Sequence, residues 1–474
     1  MTRHSDLRQE LSLGALFFLA FGTIVGVGWV TVMGTWLDTA GPAGAALAFV
    51  AGGAVMVLIA LCYAELASMF PVSGGEVAYA YAIFGESVCF LTGWFLALNY
   101  IAVLAFEAVS IGWIVSEIFP TLKGPVAYRI LGGEVYAGSL GIGYALTIFM
   151  TYAQYRGVRM VARAQTVLTA ALLVASAIFI ALGLFFGDPQ NLRPAFAQAE
   201  AGGIDVKGIG LLTATTFFWY AGFDVIPQAM GERKPGARLD RLFVPMAASI
   251  ALAALFYVLV IFATGAILPT KTVSGLDLPV ADAFEVAFGS AIPAKIVLLT
   301  GTFGLLTTWN AMFLAATRLL FSLGRARLLP AYFSYVSPSH GTPVVAIAFA
   351  AIVGAFLSAL GNSVIGVIVN LGGMTMGAIF VLMTVGVLRL RTVSPDVDRP
   401  FRTPGGSSLP VLACAFSLSI LAIAASDLLS SQTVRPEFYL LAGWSVLGMI
   451  FWVAFKKERR SVSSVKRREL LLAE

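Results

Sequence analysis

Phe217-Phe218-Trp219-Tyr220-Ala221-Gly222-Phe223-Asp224, with Pro227 three residues on, is set inside an apolar stretch that runs over residues 208–230. Proline removes a backbone donor and its ring clashes with the preceding helical turn. A carboxylate at bilayer depth costs on the order of 3 kcal/mol unless it is paired or wetted. Close packing through small residues would account for the glycine, but it asks for neither the acid nor the proline. Together these features predict a helix that is interrupted in mid-membrane and lines a cavity.

The rest of the composition agrees. The chain has 474 residues, 59% hydrophobic and 12% charged, with a mean hydropathy of +0.90. Soluble chains run at about 45–50% apolar and about 25% charged, so a soluble enzyme and a disordered chain are both excluded, and 3 cysteines exclude a disulfide scaffold. A bilayer-crossing helix takes roughly 20 apolar residues. Twelve segments meet that measure: 13–37, 42–70, 87–118, 138–155, 161–186, 208–230, 243–268, 280–318, 344–360, 363–388, 409–430 and 438–455. They are continuously apolar rather than alternating, which makes them helices and not barrel strands. The expected fold is therefore an all-α integral membrane protein of twelve transmembrane helices.

With the N-terminus in the cytoplasm, most of the 30 basic residues fall in inward segments. These include Arg3 and Arg8; Arg156, Arg159 and Arg163; Arg233, Lys234, Arg238 and Arg241; Arg318, Arg325 and Arg327; Arg389, Arg391, Arg399 and Arg402; and the run from Lys456 to Arg468. Basic residues retained on the cytoplasmic side fix orientation, so both ends are placed inside, in the cytoplasmic membrane. The net charge of +5 then serves topology and implies no nucleic-acid partner, and the tail 456–474 reads as solvated, with anionic lipid as the other reading. Cys62, Cys89 and Cys414 fall inside spans as small hydrophobes, and His4 and His340 lie outside them, so no metal site is expected. No cofactor is implied.

Span one carries a second set of helix-disfavouring residues, Gly22-Thr23-Ile24-Val25-Gly26-Val27-Gly28. It reads either as close packing through glycine or as a break exposing backbone amides to an anion. Spans one and six are five apart and so run in opposite directions, the placement by which an inverted repeat brings two broken helices to a midplane site. Glu107 lies near the middle of span three, and Glu65 lies near the inner end of span two as a structural anchor. Thr307, Thr308 and Asn310 group in span eight, where the hydroxyls could hold Na⁺ or bond their own helix. No Gly-Lys dipeptide occurs, so no phosphate-binding loop is present; transport would draw on an ion gradient, exchange, or the substrate's own gradient.

These residues resemble the amino acid–polyamine–organocation superfamily, the amino-acid permeases. Gly22 to Gly28 resembles that family's first-span glycine signature. Tyr63-Ala64-Glu65-Leu66, Pro71-Val72-Ser73-Gly74-Gly75 and Phe84-Gly85 resemble its second-span stretch. Tyr220 to Asp224 with Glu232 and Pro235 resembles its sixth-span motif; Thr342-Pro343-Val344 and Arg399-Pro400-Phe401-Arg402 follow in family order.

The resemblance implies a five-plus-five inverted repeat of the leucine-transporter type with two extra helices. Residues 1–12 would be the cytoplasmic N-terminus, 13–186 the first repeat, 208–390 the second, 409–455 spans eleven and twelve, and 456–474 the tail. It implies a substrate site of Thr23, Val25, Gly26, Val27 and Gly28, Glu107, and Phe218, Trp219, Tyr220, Ala221 and Gly222. Amides at Gly26–Gly28 would hold a carboxylate, carbonyls around Phe218–Ala221 an amino group, and Phe218 would gate the site. Asp224, Glu107, Thr307 and Thr308 would carry coupling to H⁺ or Na⁺. Val27 stands where many members have a hydroxyl, Trp29-Val30 replaces Ile-Phe, and Gln165 to Leu172 lacks a lysine found in some proton-coupled members. The expected function is no enzyme but a secondary transporter of an amino acid by alternating access, in contact with membrane lipid. A polyamine or organic-cation transporter with Glu107 and Asp224 holding the cation is the alternative within that fold, and a channel or sensor the alternative outside it.

Overall fold

The computed structural model describes residues 11–197, 203–430 and 435–472, and of residues 158–163 the backbone alone. Arg3, His4 and Arg8, and the side chains of Arg159 and Arg163, lie outside the described residues. Among the described residues the regular elements are helices, apart from one two-stranded hairpin and two isolated bridges. Among the described residues, nine helical stretches are long and apolar enough to cross a bilayer.

The first helix, α1 (Leu13–Ile24), starts at Ser12, whose hydroxyl accepts from the Ala15 amide at 3.2 Å. Ser12 thereby pairs one of the donors that a helix start leaves free. After α1 the helix stops and resumes as α2 (Gly28–Thr31) and α3 (Met33–Met69). The sequence suggested a loop between spans one and two at residues 38–41. The structure has a kink inside α3, where Gly41 takes φ 73° ahead of Pro42. Glycine accepts that left-handed turn without a Cβ penalty and proline restarts the helix, so no loop is needed.

The segment expected as loop after residue 70 holds α4 (Glu76–Phe84), joined through Gly85 to α5 (Glu86–Ile118). A hairpin follows, β1 (Val126–Ile130) and β2 (Gly133–Tyr136), whose turn residues Leu131 and Gly132 both have positive φ. That conformation matches the twist of the strands it joins.

Next come α6 (Ala137–Arg156), α7 (Val158–Phe186), α8 (Val206–Trp219) and the single turn α9 (Val225–Gln228). Then follow α10 (Phe243–Ile267), α11 (Thr270–Val273), α12 (Pro279–Phe288) and α13 (Ala291–Arg325). The expected span 280–318 is therefore two helices. Gly289 in the left-handed region ends α12, and Ser290 caps α13. Arg318, counted from the sequence as an inward basic residue at the end of span eight, lies buried inside α13.

The last helices are α14 (Val344–Ser358), α15 (Val364–Val393), α16 (Ser408–Leu429), α17 (Pro436–Ala454), α18 (Lys456–Arg460) and α19 (Ser464–Leu472). The tail expected to be solvated is instead folded and docked. Arg467 bonds Glu86 at 2.6 Å and the Ala326 carbonyl at 2.9 Å, Arg459 bonds Glu86 at 2.9 Å, and Leu471 is buried. A lone carboxylate at the start of α5 thus recruits two of the tail's arginines.

In the core, α1 packs against α7, α10 and α13, while α8 packs against α3 and α15. This arrangement brings the end of α1 and the end of α8 together.

Candidate binding site between two broken helices

At residues 25–27 the α-helical hydrogen-bond ladder stops. The Val25 amide still reaches the Phe21 carbonyl, but the Gly26 amide turns to the Ile24 carbonyl at 3.2 Å. Glycine is required at this point. A Cβ on Gly26 would lie 2.8 Å from Thr308 Oγ1 and 3.1 Å from Glu107 Oε1, and a Cβ on Gly304 would lie 2.8 Å from the Val25 carbonyl oxygen. The break is thus held from the α13 side by backbone laid on backbone. The paired threonines divide. Thr308 donates across to the carbonyls of Thr23 at 2.9 Å and Gly22 at 3.2 Å, whereas Thr307 donates to Phe303 and Gly304 of its own helix.

The second break follows α8. The Ala221 amide bonds the Phe218 carbonyl at 3.1 Å, and Gly222 takes φ 145°. A Cβ on Gly222 would lie 2.8 Å from the Ile24 amide nitrogen, so the two breaks touch there. Asp224 closes the bend locally, accepting from the Gly222 amide at 2.6 Å and from the Tyr100 hydroxyl at 2.5 Å. Tyr257 of α10 reaches both breaks, its hydroxyl 2.7 Å from the Ile24 carbonyl oxygen and 3.2 Å from that of Trp219.

Between the breaks is a cavity of about 30 Å³, room for water but not for an amino acid. Of the residues expected at a site, it is lined by Thr23, Gly26, Val27, Gly28, Glu107, Phe218, Trp219, Ala221 and Thr308. Glu107 is buried, and its Oε2 has no hydrogen-bond partner among the described residues. Val25, Tyr220, Gly222, Asp224 and Thr307 are not among the lining residues. Tyr220 turns its hydroxyl to the Phe49 carbonyl at 2.8 Å, and Asp224 faces its own turn and Tyr100. A pair of acids facing a cation across the cavity is therefore not what is seen; Glu107 alone reaches it.

Ile24, inside the first-span motif, and Tyr257, Val103, Phe106 and Met312 complete the lining, and these last four were missed from sequence. They sit in ordinary apolar runs with no local signal, and only the packing of α5, α10 and α13 on the breaks brings them in.

The Trp219 ring lies against Gly28, and its Nε1 donates to Thr215 Oγ1 at 3.1 Å. Beyond it opens a second cavity of about 500 Å³, lined by Trp219 with Thr35, Asn362, Asn370, Asp427 and Arg435 among others. Trp219 is shared by both cavities and stands as the wall between them. Elsewhere, Leu11 exchanges backbone bonds with Glu232 and Lys234 at 2.9 Å each, and the buried Arg318 bonds Glu232 at 2.7 Å. The start of α1, the segment after α9 and α13 are thereby tied together. Glu65 is an anchor as expected, bonded to Arg391 at 2.5 Å and to the Thr403 amide at 2.8 Å. Glu76, not singled out from sequence, is buried and accepts from the Gln228 side chain just past the second break.

A family model described as "Amino acid permease" matches residues 11–453. The chain belongs to the amino acid permease family. It is 31% identical over 470 residues to a branched-chain amino acid permease of Bacillus subtilis, covering 97% of this chain and 95% of that protein. It is 28% identical over 461 residues to a methylthioribose transporter of the same organism, covering 96% and 93% of the two chains. An aspartate–proton symporter, also of B. subtilis, is 25% identical over 456 residues, with 93% and 85% covered. The family is one of multi-pass membrane transporters, and a small-molecule substrate follows from it.

Proposed function

We propose that this permease is a secondary transporter that carries an amino acid across the cytoplasmic membrane by alternating access. The observation that carries the reading is the contact of two helix breaks over one cavity. Amides at Val27 and Gly28, where α2 starts, suit a carboxylate, because N–H groups at a helix start attract anions. Carbonyls freed at Trp219 and beside it suit an ammonium. A neutral amino acid supplies both charges and needs no counter-ion from a side chain. Relatives named for branched-chain amino acids and for aspartate support an amino acid as the substrate.

Coupling is assigned to a proton on Glu107. Its Oε1 lies by Gly26, where a substrate carboxylate would be held, so a charged Glu107 would repel the substrate and a neutral one would not. Binding of proton and substrate are then mutually dependent, which is what symport requires. The Na⁺ alternative would use Thr308 Oγ1 with the Gly22 and Thr23 carbonyls beside it, and the imposed Na⁺ gradient tests it. The twelve-span, five-plus-five repeat, with both termini cytoplasmic, is the architecture we assign. In it Trp219, which lines both the small central cavity and the 500 Å³ cavity, serves as the plug between them.

The test is uptake by proteoliposomes holding the purified protein, with a panel of the twenty labelled amino acids and with proton and Na⁺ gradients imposed separately. Accumulation of at least one amino acid under an inward proton gradient is expected. Absence of uptake of any amino acid under either gradient rejects the proposal.

A further inference from the structure

Helix breaks create a problem that the substrate alone does not solve. Between transport cycles the carbonyls meant for an ammonium are still there, and buried backbone carbonyls are seldom left unpaired. Tyr257 occupies the place from which both breaks can be served. Its hydroxyl lies 2.7 Å from the Ile24 carbonyl oxygen and 3.2 Å from the Trp219 carbonyl oxygen, one from each break. A phenol has a single proton, so it satisfies the two acceptors only in part. The ring is clamped by Phe49 at 4.6 Å, Phe256 at 5.6 Å and Trp36 at 5.7 Å between centroids, and the residue is buried. The position of the hydroxyl is therefore set by the surrounding rings and not by the carbonyls it serves.

We infer that the Tyr257 hydroxyl is a stand-in for the substrate's ammonium: it pairs the carbonyls of both breaks in the empty site and yields them when an amine arrives. The inference rests on the reading of the cavity as an amino-acid site. An ammonium carries three donors against the phenol's one, and a charged donor makes roughly twice as strong a bond, so it displaces the phenol. A ligand with a carboxylate but no amine finds the carbonyls already served and gains nothing from them. Tyr257 is thus a positioning residue that makes the site select for the amine, and it does so by competition.

The consequence distinguishes this role from a structural one. Removing the hydroxyl with Tyr257→Phe takes the donor away from the Trp219 carbonyl and leaves the Ile24 carbonyl to the Gly26 amide alone, a defect that an amine-bearing ligand repairs. With full-length protein in detergent, the probes are the L-amino acid that the wild type binds tightest among the twenty, and the carboxylic acid lacking its α-amino group. In Tyr257→Phe the amino acid is expected to bind about three- to tenfold tighter, the des-amino acid to be unchanged, and maximal uptake in proteoliposomes to fall because release is slower. Weakening of both ligands together makes Tyr257 purely structural and overturns the inference, as does unchanged affinity for the amino acid. If the wild type binds no amino acid, the reading of the site fails first and the inference with it.

Discussion

Glu107 and Gly26 show how much depends on single positions near the first break. The Glu107 carboxylate reaches the cavity that Gly26, Val27 and Gly28 of that break also line, and one of its oxygens has no partner among the described residues. If the acid must be neutral for a carboxylate substrate to bind, uptake should rise as the outside pH is lowered. Glu107→Gln should then transport with a flat pH profile and lose accumulation under a proton gradient, while exchange of labelled for unlabelled substrate persists. A Glu107→Gln protein that keeps both the pH slope and gradient-driven accumulation would move the coupling elsewhere. Gly304 is as constrained as Gly26. Gly304→Val would push a branched side chain into the Val25 and Gly26 carbonyls, and loss of uptake with a melting temperature lowered by several degrees is expected, since overpacking costs about 1–3 kcal/mol.

Among the elements, those built on long apolar runs were legible and those built on short punctuation were not. The interruption of the sixth span could be read because proline, glycine and aspartate each disfavour helix for a separate physical reason and all fall together before residue 228. The first break was left open between packing and interruption, and the structure shows both: Gly26 is at the break, and Gly304 packs on it. By contrast α4 escaped notice because a nine-residue helix between glycines is too short for a span, and α12 because it merged with α13 in one hydrophobic run. Arg318 looked like a loop anchor since a charge at the end of an apolar segment usually is one. Its partner Glu232 is distant in sequence, and no local pattern joins them. Removing one side of a buried ion pair costs about 3–5 kcal/mol. Arg318→Ala should therefore lower the melting temperature strongly, whereas Arg318→Ala combined with Glu232→Ala should recover part of the loss; losses in the two single variants that simply add in the double would show the pair to be energetically idle.

For the whole molecule, composition decided the class, and charge placement suggested an orientation for the assigned twelve-span architecture. Neither could show that the C-terminal tail turns back onto the bundle. Its sequence is basic and hydrophilic, and what holds it is Glu86, far away in the chain. Glu86→Gln should release α19, seen as faster proteolysis after Lys466 and Arg468 than in the wild type; an unchanged digestion pattern would contradict the docked tail. The central claim is that the paired breaks are where an amino acid is held, and the Gly26→Leu variant tests it most directly. Equilibrium binding of the labelled amino acid preferred by the wild type should drop at least about a hundredfold, since the new side chain fills the space between Thr308 and Glu107. A Gly26→Leu protein that elutes as the wild type does and binds that amino acid with undiminished affinity would place the site elsewhere.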